Sequence, residues 1–243
     1  MKILFSPSKT MVLSDHPSES QPHFLREAQE VKQALDEILL AMSLQSFYKC
    51  SEKKAKEIST LLENFSFEGR HPAVHSFSGL AFAHLHPRSL DKWAIAYLKN
   101  HLLIFSGLYG LLRPFDAISP YRLDYENPLK IKGASLKAYW KDKLYHYLKD
   151  EPLIINLASK EYSSALLSYK DLNIVSIDFK LQKGEKLSSP STEVKIARGE
   201  LLRLLALSEA ECLEDITSLC PNGHYYSAKE STQDNLVFIK KVS

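Results

Sequence analysis

The segment Lys2-Ile3-Leu4-Phe5-Ser6-Pro7-Ser8-Lys9-Thr10 begins with an apolar run that suits a buried strand and then changes character at once. Ile3 is β-branched, the run is short, and Pro7 stops it. Three hydroxyls and a lysine come directly after. A strand that ends in polar groups places them where open α/β sheets gather ligands. Residues 153–157, Leu-Ile-Ile-Asn-Leu, repeat the pattern and lead into Ala158-Ser159-Lys160-Glu161-Tyr162. Residues 102–105 form a further apolar run, closed by a turn at Gly107 and Gly110.

Between these strands the apolar spacing is helical. Phe24, Ala28, Val31, Leu35, Ile38 and Leu39 predict a helix over residues 22–42. Ser51 heads a second helix, with Ala55, Ile58, Leu61 and Leu62 on one face. Helices are also expected over 90–100, 134–148, 159–167 and 193–207, and strands over 173–179 and 236–242. Residues 65–88 hold Gly69, Pro72, Gly79 and Pro87, which favours short elements. The polar stretch 8–21 is long enough to suggest a functional or mobile loop. Strands alternating with helices give a mixed α/β (α+β) fold: one domain over 1–243, with a central mixed β-sheet flanked by helices. Two predicted helices precede most strands, so the pattern is not a clean doubly wound one.

At 243 residues with 44% hydrophobic content, the chain can bury a large core. A net charge of +2 does not by itself mark a nucleic-acid binder. Three cysteines, Cys50, Cys212 and Cys220, contain no C-x-x-C pair, so a disulfide framework is not expected. No stretch approaches the roughly 20 apolar residues that span a bilayer, and the first residues lack the apolar run of a signal peptide. The expectation is a cytoplasmic protein without a membrane partner.

The segment Ser6–Thr10 reads either as a polar turn or as an anion contact, with Ser6, Lys9 and Thr10 as candidates. It is no Walker A loop, since the glycines are missing. In the second segment Asn156, Ser159 and Glu161 can serve a ligand, or Ser159 can simply cap a helix. The third segment carries Arg113-Pro114-Phe115-Asp116 and Pro120-Tyr121-Arg122-Leu123-Asp124. Its arginines suit bidentate contact with phosphate or carboxylate; the alternative is internal pairing, Arg113 with Asp116 and Arg122 with Asp124. From Lys130 to Lys149 six lysines face one acid, Asp142. Lys130, Lys132, Lys137, Lys141 and Lys143, interleaved with tyrosines, can track a nucleic-acid backbone. Leu136, Trp140, Leu144 and Leu148 give the competing reading of a core face with a solvated back. His71 and His75, and His84 and His86, lack a third ligand at metal spacing, so neither a metal nor a cofactor is expected. No catalytic triad or carboxylate pair can be picked out from spacing, so the residues name no reaction.

Taken in order, S-P-S-K-T at 6–10, S-G-L-Y-G-L-L-R-P-F-D at 106–116, P-Y-R-L at 120–123, I-N-L-A-S-K-E-Y at 155–162 and K-I-A-R-G at 195–199 resemble the bacterial peroxide-stress family called YaaA. The resemblance runs nearly the full length. It implies a mixed α/β fold, a basic cleft that includes Arg198, and a cytoplasmic role in limiting iron-dependent oxidative damage. It also implies DNA as a partner, bound through a helix-hairpin-helix; a small anionic ligand such as a nucleotide is the alternative. Two departures stand out. The hairpin calls for glycine, and the corresponding stretch Ser51-Glu52-Lys53-Lys54-Ala55-Lys56-Glu57-Ile58 has none. Phe77-Ser78-Gly79-Leu80 stands where the family often has F-K-G-D.

Overall fold

The computed structural model describes residues 1–242. Among them twelve strands run in chain order: β1 (Lys2–Phe5), β2 (His71–Pro72), β3 (Leu102–Ser106), β4 (Gly110–Leu112), β5 (Ala117–Ile118), β6 (Lys130–Ile131), β7 (Ala134–Ser135), β8 (Ile154–Asn156), β9 (Ile174–Lys183), β10 (Lys186–Ser188), β11 (Tyr225–Tyr226) and β12 (Asn235–Lys241). Eight of them form one sheet in the order β11-β12-β9-β8-β1-β3-β4, with β10 paired to β9. β2 with β5, and β6 with β7, make two small separate ladders.

The sheet is mixed in an orderly way. β3, β1, β8, β9 and β12 run parallel to one another, while β4, β10 and β11 are antiparallel additions. From β1 the chain first moves to one side, to β3, and then returns to β8, β9 and β12 on the other. The direction of travel therefore reverses between β1 and β8. In open α/β sheets such a reversal leaves a crevice beyond the strand ends. The antiparallel edges keep the fold from being a pure doubly wound sheet, as the sequence pattern suggests.

Ten α-helices of the described residues cover the sheet: α1 (Leu25–Ala41), α2 (Leu44–Tyr48), α3 (Glu52–Glu63), α4 (Ala73–Ser76), α5 (Leu80–Leu85), α6 (Lys92–His101), α7 (Leu136–Leu148), α8 (Lys160–Ser163), α9 (Ser191–Ser208) and α10 (Leu213–Ser218). α1 buries Ala28, Val31 and Leu35, the stripe its spacing predicts. α3 starts after Ser51, whose hydroxyl accepts the Lys54 amide, and α6 after Asp91, which accepts two amides. These side chains satisfy N–H groups that the first helical turn leaves free. The helix expected over 159–167 shortens to α8. Its hydrogen bonds change to three-residue closures at Ala165 and Leu166, where serines compete for the backbone.

The stretch 51–58 is the start of α3, the helix that Ser51 is expected to head, so a hairpin turn does not fall within it. The turn comes before it, between α2 and α3, and needs no glycine: Lys49 takes the left-handed conformation at φ 47, ψ 53. A non-glycine residue there costs roughly 1–2 kcal/mol. The polar stretch 8–21, expected to be functional or mobile, is tied to its surroundings at several points, and its first residues line a cleft. The Val12 amide donates to Ser76 O, the Ser14 amide meets His71 Nδ1, and Ser20 bridges to Asp116. No described helix is long and apolar enough to cross a membrane.

Candidate functional site

Residues beyond the carboxyl ends of β1 and β8 meet at the reversal point. Asn156 ends β8 and shapes the turn after it: its Oδ1 accepts the Ala158 amide at 3.0 Å, and its amide donates to Ser176 Oγ at 3.1 Å. That turn delivers the Ser159 amide to Ser6 Oγ at 2.8 Å, which joins the two strand ends. Ser8 and Thr10 share a hydroxyl contact of 3.1 Å. Gly79, at the head of α5, lets this loop approach: a Cβ there would lie 2.2 Å from Ser8 Oγ.

These segments enclose a cleft of about 540 Å³. Ser6, Lys9 and Thr10 line one side and Ser159 and Glu161 another, while Arg198 reaches in from α9. Phe5, Phe82, Leu157 and Tyr162 supply apolar wall. Four further polar residues join that were not site candidates in the sequence: Glu126 and Thr192, Asp124, which entered only as the pairing partner of Arg122, and Lys195, which entered only within the motif 195–199. Thr192, Lys195 and Arg198 lie three residues apart along α9, a helical spacing visible in the sequence once Arg198 is chosen. Nothing comparable marks Asp124 and Glu126, which the chain fold alone brings in.

Other sequence candidates stand behind this surface or away from it. Arg122 donates to Lys9 O at 2.8 Å, and its Nε lies 2.9 Å from Asp124 Oδ2 as an ion pair whose alignment does not make a hydrogen bond, so it holds the Lys9 loop from behind. Tyr121 is buried, 2.6 Å from Ser106 Oγ. Arg113 pairs with Asp116 at 2.8 Å and donates to Gln21 O, outside the cleft lining. Both internal ion pairs that the sequence allowed are thus formed. Leu136, Trp140, Leu144 and Leu148 of α7 are buried, and its lysines lie on the outer side. Lys143 sits over Tyr139 and Lys141 over Tyr169, and Lys132 pairs with Glu30. Lys130 is exposed on β6, and Lys137 is half-buried on α7. None of these lysines lines the cleft. Among the described residues no group of three His, Cys, Asp or Glu side chains is placed to hold a metal ion. A more open groove of about 620 Å³, lined in part by Asp171, Ile174 and Asp234, lies at the starts of β9 and β12, away from these strand ends.

Two charged groups of the cleft are incompletely paired. Arg198 Nε and Glu161 Oε1 are both buried without a hydrogen-bond partner. Burial pulls the Arg198 pKa below its ordinary value while Asp178 opposes this; a guanidinium stays protonated at neutral pH. Burial is also the largest influence on Glu161, and it raises the pKa. Negative Asp124 and Glu126 add to the rise, while Lys9 and a hydrogen bond from the Glu126 backbone amide to the carboxyl oppose it, leaving Oε1 as the oxygen without a partner. A carboxyl whose folded pKa exceeds its unfolded value stabilises the fold when protonated. That contribution is present below the unfolded value of 4.5 and is lost as pH rises through the folded value. Glu161→Gln should therefore melt above the wild type at pH 7.5, and the gap should close towards pH 4. Thermal unfolding of both proteins across that range checks this; a gap of opposite sign would show that Glu161 is stabilised as the anion.

The fold is that of an α/β protein with a cleft of mixed charge at the reversal point of a largely parallel sheet. The profile of the family described as peroxide stress protein YaaA matches residues 1–230. The chain is 37% identical over 249 residues to a UPF0246 protein of Finegoldia magna, covering 100% of this chain and 99% of the relative. It is 35% identical over 252 residues to a UPF0246 protein of Agathobacter rectalis, covering 100% of both. The chain belongs to the peroxide stress protein YaaA family.

Proposed function

We propose that this protein serves the peroxide-stress response in the cytoplasm by binding a small ligand with a phosphate or carboxylate group in the strand-end cleft. One observation carries the reading: Arg198, half-buried, brings a guanidinium whose Nε is buried and unpartnered to a cleft already lined by Lys9, Lys195 and several hydroxyls. A buried donor left unpaired costs roughly 1–3 kcal/mol, and an anion there recovers that cost. Lys9 and Lys195 add charge without fixed geometry, and the guanidinium fork adds direction. Pockets of this size hold small molecules.

Titration calorimetry with inorganic phosphate and phosphomonoesters tests the reading. Arg198→Ala should weaken binding about 10- to 100-fold, the loss of a charge-assisted hydrogen bond. The folded melting transition should be retained. In a bacterial strain lacking its own family member, the wild type should restore growth in hydrogen peroxide and Arg198→Ala should not. Equal affinities for wild type and variant would refute the site.

A second reading is duplex DNA, bound through the α2–α3 pair, and it limits iron-dependent damage by shielding that partner. The left-handed Lys49 favours it, because a tight turn joins the helices without glycine. Against it, Lys54 pairs with Glu57 and Lys56 with Glu52, which neutralises much of the α3 surface. DNA affinity that falls steeply with salt would support this reading; no binding at low salt would remove it.

A further inference from the structure

The same cleft carries a second unmet demand, and it is of opposite polarity. Arg198 needs an acceptor, whereas Glu161 Oε1 needs a donor. A bare phosphate or a simple dicarboxylate satisfies the first and repels the second, because Asp124 and Glu126 stand beside Glu161. A fully cationic ligand has the reverse defect: it suits the three acids but meets Lys9, Lys195 and Arg198 in the same cavity. The complementary molecule has an anion at one end and a neutral N–H donor at the other.

Its middle must also match the walls. Phe5 and Phe82 stand edge-to-face, with centroids 5.3 Å apart, and both line the cleft with Leu157 and Tyr162. The two rings touch each other, so they offer a continuous apolar wall against which a flat, largely apolar body can lie. The volume of about 540 Å³ exceeds the needs of an amino acid and suits a drug-sized ligand. Nucleobases are flat, and adenine, guanine and cytosine each carry an exocyclic amino group that donates to carboxylates or carbonyls.

We infer that the cleft takes a nucleotide whose base bears an exocyclic amino group, with the phosphate towards Arg198 and the amino group towards Glu161. This rests on the anion-binding reading above.

The experiment is calorimetric titration with AMP, GMP, CMP, UMP and inorganic phosphate against the wild type, Glu161→Met and Glu161→Gln. Met removes the acceptor and keeps the length; Gln keeps an acceptor without charge and provides a readable variant should the Met protein not fold. At least one amino-bearing nucleotide should bind about 10-fold or more tightly than UMP, the equivalent of one charge-assisted hydrogen bond. Glu161→Met should abolish that preference and Glu161→Gln should reduce it, while phosphate binding persists in both. If UMP binds as well as the others, and Arg198→Ala still weakens all of them, the base assignment is wrong and the anion site stands. If neither phosphate nor any nucleotide binds, both fall together.

Discussion

Asp116→Ala is expected to destabilise the protein by about 3 kcal/mol, towards the low end of the cost of breaking a buried charge pair. The carboxylate is fully buried. It accepts the Ser20 hydroxyl at 2.7 Å, the Arg113 amide at 2.8 Å and Arg113 Nε at 3.0 Å. The Asp116 backbone adds to the knot: its carbonyl accepts the Ala73 amide, and the Ala117 amide donates to Ser20 O. Removing the side chain leaves the Ser20 hydroxyl, the Arg113 amide and Arg113 Nε without their acceptor. Arg113 is partly exposed and can turn to water, which keeps the loss from reaching the upper end. For a chain of this size the melting temperature should fall by roughly 6–12 °C. Urea unfolding of wild type and variant measures it; a loss below 1 kcal/mol would mean that the loop 8–21 is held by other contacts.

Gly199→Ala should have an effect of comparable size for a different reason. α9 crosses α5 so closely that a Cβ at Gly199 would lie 2.1 Å from the Ala81 carbonyl oxygen and 2.9 Å from the His84 Cβ. The obstacle includes backbone, so no rotamer change relieves it. Forcing extra volume into a packed contact costs about 1–3 kcal/mol, and this case belongs at the upper end. Arg198 is the neighbouring residue and reaches the cleft from the same turn, so the helix shift should also weaken phosphate binding. Thermal melts and calorimetry on one preparation report both effects. Unchanged stability would show that the helices stand further apart; lost stability with intact binding would separate helix packing from the placement of Arg198.

Much of the scaffold was open to reading because its signals are local. Apolar runs marked β1, β3 and β8, and the α7 stripe of Leu136, Trp140, Leu144 and Leu148 is buried as its spacing requires. α10 buries only Ile216 and so leaves no apolar period in the sequence. β4 lies in a stretch rich in turn residues, where a three-residue strand leaves no pattern. Strand order is a global property: nothing near Ile155 says that β8 lies beside β1. The site divides in the same way. Polar groups placed directly after strands were visible, hence Ser6, Lys9, Ser159 and Glu161. Arg113 and Arg122 offered two readings of equal local merit, and only their distances to Asp116 and Asp124 separate them. Asp124 and Glu126 enter the cleft because the loop beyond β5 folds back over the sheet, a placement that no local pattern encodes.

The hydrogen bond from the Ser159 amide to Ser6 Oγ closes a span of 153 residues, and Arg198 comes from later still. During synthesis β1 leaves the ribosome long before either of its counterparts exists. The cleft therefore has no half-built form: a nascent chain that stops short of α9 can order its first helices and still offer a ligand nothing to hold. Contacts of such long range form late and slowly. A molecule bound in the cleft recognises the completed chain alone and shifts the balance towards it by mass action.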